Sequence, residues 1–230
     1  MANYRKELRR LWHFIWEDDG IWSWIVNVIL AFVLIKFIVY PGLGFLLNTT
    51  HPVVAVVSES MEHKGYPKCV QKQDYCTKYQ YEICGKLFDG KVSFKADDFW
   101  NECGSWYAAN SEITKEQFLN FPLRNGFNKG DIIILKGKLP EKINVGDIIV
   151  FWSPKKDPII HRVIKKWEEA GTYYFQTKGD HNPGMIKTTF LDETKISEEQ
   201  LIGYAYFRIP MLGFIKIWFV ELIDFARALL

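Results

Sequence analysis

Residues 52–61 read Pro52-Val53-Val54-Ala55-Val56-Val57-Ser58-Glu59-Ser60-Met61. An apolar run of this length that breaks off into polar residues reads as a short buried strand, and its end carries two hydroxyls. Serines at a strand end commonly do no more than satisfy nearby backbone. What surrounds these two gives them weight: a segment of membrane-crossing length lies just ahead, and three further polar boxes lie downstream.

Residues 21–40 form an apolar stretch whose only ionisable member is Lys36. At 1.5 Å per residue it spans a hydrocarbon core of about 30 Å. Pro41 to Leu47 continues the apolar character, so the segment reads as a retained anchor rather than a cleaved leader. Arg5, Lys6, Arg9 and Arg10 precede it and place the N-terminus in the cytoplasm, with everything after about residue 48 outside. Lys36 sits near the outer end of the span, where its stem can snorkel to the headgroups. Trp12, Trp16, Trp22 and Trp24 crowd the inner end as an aromatic belt. Ahead of the span, Leu8, Leu11, Trp12 and Ile15 recur at helical spacing opposite Arg5, Arg9 and His13, the pattern of a helix lying on the cytoplasmic surface. A formal charge of +2 with no basic stripe argues against a nucleic-acid partner.

All four cysteines, Cys69, Cys76, Cys84 and Cys103, fall in a polar stretch on the predicted outer side. Two disulfides are expected there, with three connectivities open. A zinc site is the rival, but no pair has the gap of two to four residues that structural zinc favours. Residues 62–123 thus read as an inserted, cysteine-bearing cap with Phe99, Trp100, Trp106 and Tyr107 as a small apolar centre. Because the cap begins beside Met61, it is expected to shape access of substrate. Thr114 and Gln117 stand at capping-box spacing and predict a short helix.

Regular alternation resumes near Gly126. Strands are predicted over 131–135, 147–152, 159–165, 173–177 and 201–207, from β-branched and aromatic residues bounded by Gly, Pro and Asp. The turn signal Gly-Asp-Ile-Ile occurs twice, at 130–133 and 146–149. The tail from Met211 is apolar, but Lys216, Glu221, Asp224 and Arg227 fall on one arc, so it reads as an interfacial helix rather than a second span.

A serine hydroxyl needs a base within reach and donors for the developing oxyanion. Ser60, His161 and Asp180 supply candidate side chains. Imidazole, with an ordinary pKa of about 6.5, is mostly neutral at pH 7, as a general base must be. An acid on its other ring nitrogen would fix the tautomer and stabilise the imidazolium. Each residue alone has an ordinary structural explanation; their joint occurrence is what carries the reading. His51, His63 and His181 show no His-x-x-x-His or His-Glu-x-x-His spacing, and no metal or organic cofactor is implied.

Four boxes in order, Ser58-Glu59-Ser60-Met61, Gly146-Asp147-Ile148-Ile149-Val150-Phe151, Ile160-His161-Arg162-Val163-Ile164 and Gly179-Asp180-His181-Asn182, resemble type I signal peptidase. The second serine of Ser-x-Ser-Met, the nucleophile in that family, falls on Ser60. Histidine at 161, where the bacterial branch has lysine, matches the archaeal and endoplasmic-reticulum branch and implies a Ser-His pair helped by aspartate; the compact tail leans toward the archaeal side. The family's Gly-Asp-Asn-Asn box is matched with one substitution, but the acid that commonly follows six residues later is replaced by Ile186. Asp180 is therefore favoured as the acid, with Asp192 in reserve. Ser58 and the Ser60 N–H would form the oxyanion hole, a role of equal standing with a plain strand-end hydroxyl for Ser58.

The resemblance implies a mainly antiparallel β catalytic domain over 48–61 and 124–210, carried by a surface helix at 1–20 and a transmembrane anchor at 21–47. The inserted cap at 62–123 and an amphipathic helix at 211–230 complete the chain. The implied activity is removal of signal peptides after small residues from exported preproteins, at the outer face of the cytoplasmic membrane. Membrane lipid and the protein translocation channel are the expected neighbours. An edge strand over Val53–Val57 would pair with extended substrate. The alternative is a non-catalytic, membrane-anchored binding or assembly subunit that keeps the fold.

Overall fold

A computed structural model describes residues 2–215 apart from Gln73, together with Ile217, Trp218, Glu221, Phe225 and Arg227. The chain divides into two units, Met1–Thr50 and His51–Leu230. The expected helix over 211–230 falls largely outside the described residues.

The first unit is helical throughout. Helix α1 (Ala2–Trp16) presents Tyr4, Leu8, Trp12 and Trp16 as an exposed stripe at four-residue spacing. Helices α2 (Ile21–Leu34) and α3 (Tyr40–Leu47) join through a π-helical stretch, Ile35–Val39, into one apolar rod of 27 residues. At about 40 Å it is long enough to cross a bilayer. The turn between α1 and α2 is tied by side chains: Ser23 Oγ donates to Phe14 O (2.5 Å) and Asn27 Nδ2 to Ile15 O (2.8 Å). These bonds satisfy carbonyls that the end of α1 would otherwise leave open.

The second unit is built on a seven-stranded antiparallel sheet. Its strands are β1 (Val53–Ala55), β5 (Ile132–Lys136), β6 (Ile148–Phe151), β7 (Ile159–Glu169), β8 (Thr172–Lys178), β11 (Ile196–Ser197) and β12 (Leu201–Ile209). They lie in the order β1-β5-β12-β6-β7-β8-β11. All five predicted strands are present, within a few residues of the expected ends. β6 reads as an unbroken apolar run because both faces of the sheet are covered there. Ile148 and Val150 enter one core with Val56, Met61, Ile133 and Leu135; Ile149 and Phe151 enter another with Val163, Phe175 and Leu191. The two Gly-Asp turns are alike. Gly130 and Gly146 have φ of 87° and 96°, and the Asp131 and Asp147 carboxylates accept the N–H of Asn128 and Asn144.

Residues 62–123 hold more regular structure than their sequence suggested. Strands β2 (Tyr66–Lys72), β3 (Cys76–Ile83) and β4 (Lys86–Phe88) make a second sheet, followed by α4 (Ala96–Asn110) and α5 (Lys115–Leu119). The short strands β9 (Lys187–Thr188) and β10 (Leu191–Asp192) pair farther on. Phe99, Cys103 and Tyr107, four residues apart, form the buried face of α4 and pack with Ile83, Ile113, Phe118 and Ile164. Thr114 and Gln117 close the expected capping box on α5. The disulfides are Cys69–Cys76 and Cys84–Cys103.

Candidate active site

Ser60 lies just past the end of β1, and His161 lies on β7. The sheet brings them to one cavity of about 310 Å³, lined by Val54–Val57, Ser58, Ser60, Ile159–His161, Asn182, Ile186 and Leu191 and rimmed by Lys155–Pro158. The Ser60 and Ser58 hydroxyls are 3.2 Å apart. β1 is an edge strand, shorter than the expected 53–57, and an edge of this kind can offer main-chain groups to an extended chain.

Gly179 explains the tightness of this corner. A Cβ there would stand 2.7 Å from Ser60 O, 2.7 Å from Asn182 Nδ2 and 2.9 Å from His161 Nε2. No side chain fits, and the loop after β8 can approach the serine backbone only through glycine. His181 N donates to Ser60 O (2.9 Å), and Asn182 N closes the turn on Gly179 O (3.0 Å).

The acid on His161 is neither Asp180 nor Asp192. His161 Nδ1 lies 2.5 Å from Glu193 Oε1, and both residues are buried. Glu193 is itself held from three sides. Its Oε1 also accepts from Thr177 Oγ1 (3.0 Å), its Oε2 from Ile186 N (2.6 Å), and its N–H donates to Ile186 O (2.9 Å). Residue 186 is where the sequence lacks the expected second acid, and Glu193 reaches that gap from the following hairpin. Asp192 is exposed and occupied with Thr194.

Asp180 has a different task, which follows from strand parity. Successive residues of β7 point to opposite faces, so His161 and Arg162 cannot share one carboxylate easily. Arg162 pairs in register with Lys178, and Asp180, two residues on, falls on Arg162's side. Arg162 Nε and Nη2 donate to the two Asp180 oxygens (3.0 and 2.7 Å). Its remaining donors reach Pro122 O, Gly146 O and Leu123 O, which satisfies the whole guanidinium in a fully buried site. Asp180 also accepts from His63 Nε2 (3.0 Å) and Tyr107 OH (2.9 Å). Burial alone would raise the Asp180 pKa; Arg162 and His63 outweigh it and hold the carboxyl well below the usual range. Burial also lowers His63, against the pull of Asp180, so His63 is neutral with its proton on Nε2. Lys178 is fully buried beneath Trp106 and Tyr107 and donates to Gly179 O and Asp180 O; burial brings its pKa down to about 8.

Segment 62–123 therefore meets the site from behind. None of the described cavity-lining residues belongs to it, so the lining lends no support to the expected part in substrate access. Instead His63 and Tyr107 hold Asp180, and Cys84 N donates to His181 O (2.8 Å) beside the Cys84–Cys103 disulfide. Among the described residues no group of three or more His, Cys, Asp or Glu side chains is arranged to hold a metal ion.

No family model matches the chain. It is 33% identical over 129 residues to the signal peptidase complex catalytic subunit SEC11 of Lachancea thermotolerans, a match that covers 54% of this chain and 74% of that protein. The SEC11 subunits of Saccharomyces cerevisiae and Zygosaccharomyces rouxii match at 30% over 131 residues and 29% over 128 residues, with the same coverage.

Proposed function

The chain belongs to the signal peptidase I family, in its endoplasmic-reticulum type, and from that premise we propose that Ser60 is its nucleophile, His161 its general base and Glu193 the acid that orients His161. The protein is a serine endopeptidase that cleaves signal peptides, and its relatives' naming as catalytic subunits sets aside the non-catalytic alternative. The observation that carries the residue assignment is the meeting of Ser60 and His161 in one cavity at a sheet edge, with Glu193 on the ring nitrogen turned away from it.

Glu193 accepts the Nδ1 proton, which leaves Nε2 unprotonated and facing the cavity. Ser60 Oγ attacks the scissile carbonyl carbon as its proton passes to Nε2. The Ser60 N–H and Ser58 hydroxyl donate to the oxyanion, and Glu193 stabilises the imidazolium. Collapse expels the mature chain's amine, which takes the proton from Nε2, and water releases the signal peptide by the same steps in reverse roles. The substrate lies extended along β1, against an apolar wall formed by Val54, Val56, Ile160 and Leu191.

The domain plan we propose is a surface helix at 1–20, an anchor at 21–47, a catalytic domain over 48–61 and 124–210 and a cap at 62–123. The N-terminus is cytoplasmic and the active site lies on the outer face of the cytoplasmic membrane, next to lipid and the translocation channel. The arginines of α1 and the apolar rod support this orientation. Holding the site at the bilayer raises its effective concentration at the end of each signal helix. Detergent-solubilised wild type should cut a preprotein after the last alanine of an Ala-x-Ala site, as read from the new N-terminus, and Ser60→Ala should not. Cleavage that persists in Ser60→Ala would overturn the assignment.

A further inference from the structure

Among the described residues, the buried side-chain nitrogens without a hydrogen-bond partner are His63 Nδ1, His181 Nδ1, Asn182 Nδ2 and Arg208 Nε. The two imidazole nitrogens are readily explained, since one nitrogen of each neutral ring carries no proton. Arg208 Nε stands 2.7 Å from the Asp131 carboxylate, an ion pair out of hydrogen-bond alignment. Asn182 Nδ2 is different. It carries two protons, has no partner within the fold, and belongs to a half-buried residue that lines the catalytic cavity. A buried donor left unmade is costly, so a fold that keeps one in an active site holds it ready for something that arrives later.

Its position says what arrives. Asn182 Nδ2 and His161 Nε2 both lie within 3 Å of the point that a Gly179 Cβ would occupy. His161 Nε2 must face Ser60 Oγ first and the departing amine afterwards, so a donor beside it lies on the leaving-group side. The Ser58 hydroxyl, 3.2 Å from Ser60 Oγ, fills the oxyanion role separately. An extended substrate presents on the leaving side, nearest the cut, the carbonyl of the first residue of the mature chain. We propose that the Asn182 side-chain amide donates a hydrogen bond to that carbonyl and thereby registers the mature segment against His161. The turn is built to hold the amide there: Asn182 N bonds Gly179 O, His181 N bonds Ser60 O, and Cys84 N bonds His181 O. Asn182 is on this view a substrate-positioning residue, and the inference rests on the Ser60–His161 assignment.

The test uses two synthetic signal peptides of identical sequence up to the cut. One continues with an alanine amide; the other ends in an N-propyl amide, which has a scissile bond but lacks the carbonyl in question. Full-length Asn182→Leu in detergent should lose roughly tenfold in kcat/KM on the first substrate, and stay within twofold of wild type on the second. Retained cleavage of the propyl amide also reports that the variant is folded. Equal losses on both substrates would show that Asn182 acts through His161 or the oxyanion, and no loss on either would show that it makes no contact; each overturns the proposal. Ser60→Ala, run alongside, separates the two levels. Persistent cleavage there would overturn the nucleophile assignment and this inference with it, whereas an indifferent Asn182→Leu overturns the inference alone.

Discussion

Glu193→Gln is the sharpest perturbation the site allows, because it conserves shape and removes only charge and acceptor symmetry. Glu193 Oε1 takes hydrogen bonds from His161 Nδ1 and Thr177 Oγ1, and Oε2 takes one from Ile186 N. A glutamine cannot serve both ends and leave the ring proton on Nδ1. With its oxygen on His161, its NH₂ faces the Ile186 N–H, donor against donor. With its NH₂ on His161, Nδ1 must become the acceptor, which moves the ring proton to Nε2 and removes the general base. The second arrangement keeps every bond made, so it dominates. Replacing the orienting acid by its amide in the Ser-His-Asp template costs about 10⁴ in kcat through the wrong tautomer. Allowing for the first arrangement, a fall of about 10³–10⁴ is expected here, or about 4–5.5 kcal/mol at 1.36 kcal/mol per decade. The assay is single-turnover cleavage of a preprotein by the purified chain, with near-ultraviolet circular dichroism to confirm packing. Asp180→Asn is the contrast: it breaks the fork on Arg162 and should unfold the domain before any tautomer is at issue. A folded Glu193→Gln within tenfold of wild type would refute the reasoning.

Three further outcomes follow from the same contacts. Replacing Cys84 and Cys103 by alanine should cost about 3 kcal/mol and most of the activity, since this bridge backs the loop at His181, whereas Cys69→Ala with Cys76→Ala should leave cleavage unchanged; urea unfolding and preprotein cleavage read both. The His63 pKa is lower folded than unfolded, as is that of His181, so the unfolded chain binds the extra protons and stability should fall as pH drops below about 6.5, with a further loss below about 4 as the unfolded chain, but not the fold, takes up a proton at Asp180; His63→Gln should shrink the first step in pH-dependent melting. The Lys178 pKa is likewise depressed, to about 8, so its buried charge opposes folding at neutral pH and that opposition should fade between about pH 8 and 10.5; the difference in stability between wild type and Lys178→Met should change across that window and not below it.

What the sequence disclosed followed the reach of local physics. The strands were legible because β-branched runs bounded by Gly, Pro and Asp need no tertiary information, and the α5 cap because Thr114 and Gln117 are three residues apart. Helix α4 leaves only a faint trace in the sequence: its apolar side chains are few and aromatic, and only the Phe99-Cys103-Tyr107 spacing announces it. Ser60 and His161, the proposed nucleophile and base, stand out through their boxes. Glu193 does not, because its claim on His161 depends on which way two successive β7 residues face and on a hairpin that returns residue 193 to residue 186. The place of Asp180 beside Arg162 depends on the β7–β8 register, which no local pattern supplies.

The most direct measurement of the central claim is covalent labelling of the full chain in detergent with a serine-acylating probe, followed by peptide mass spectrometry. The account predicts one adduct, on Ser60, strong in wild type and lost in both His161→Ala and Glu193→Gln. An adduct on another serine, or undiminished labelling of Ser60 without His161, would contradict it.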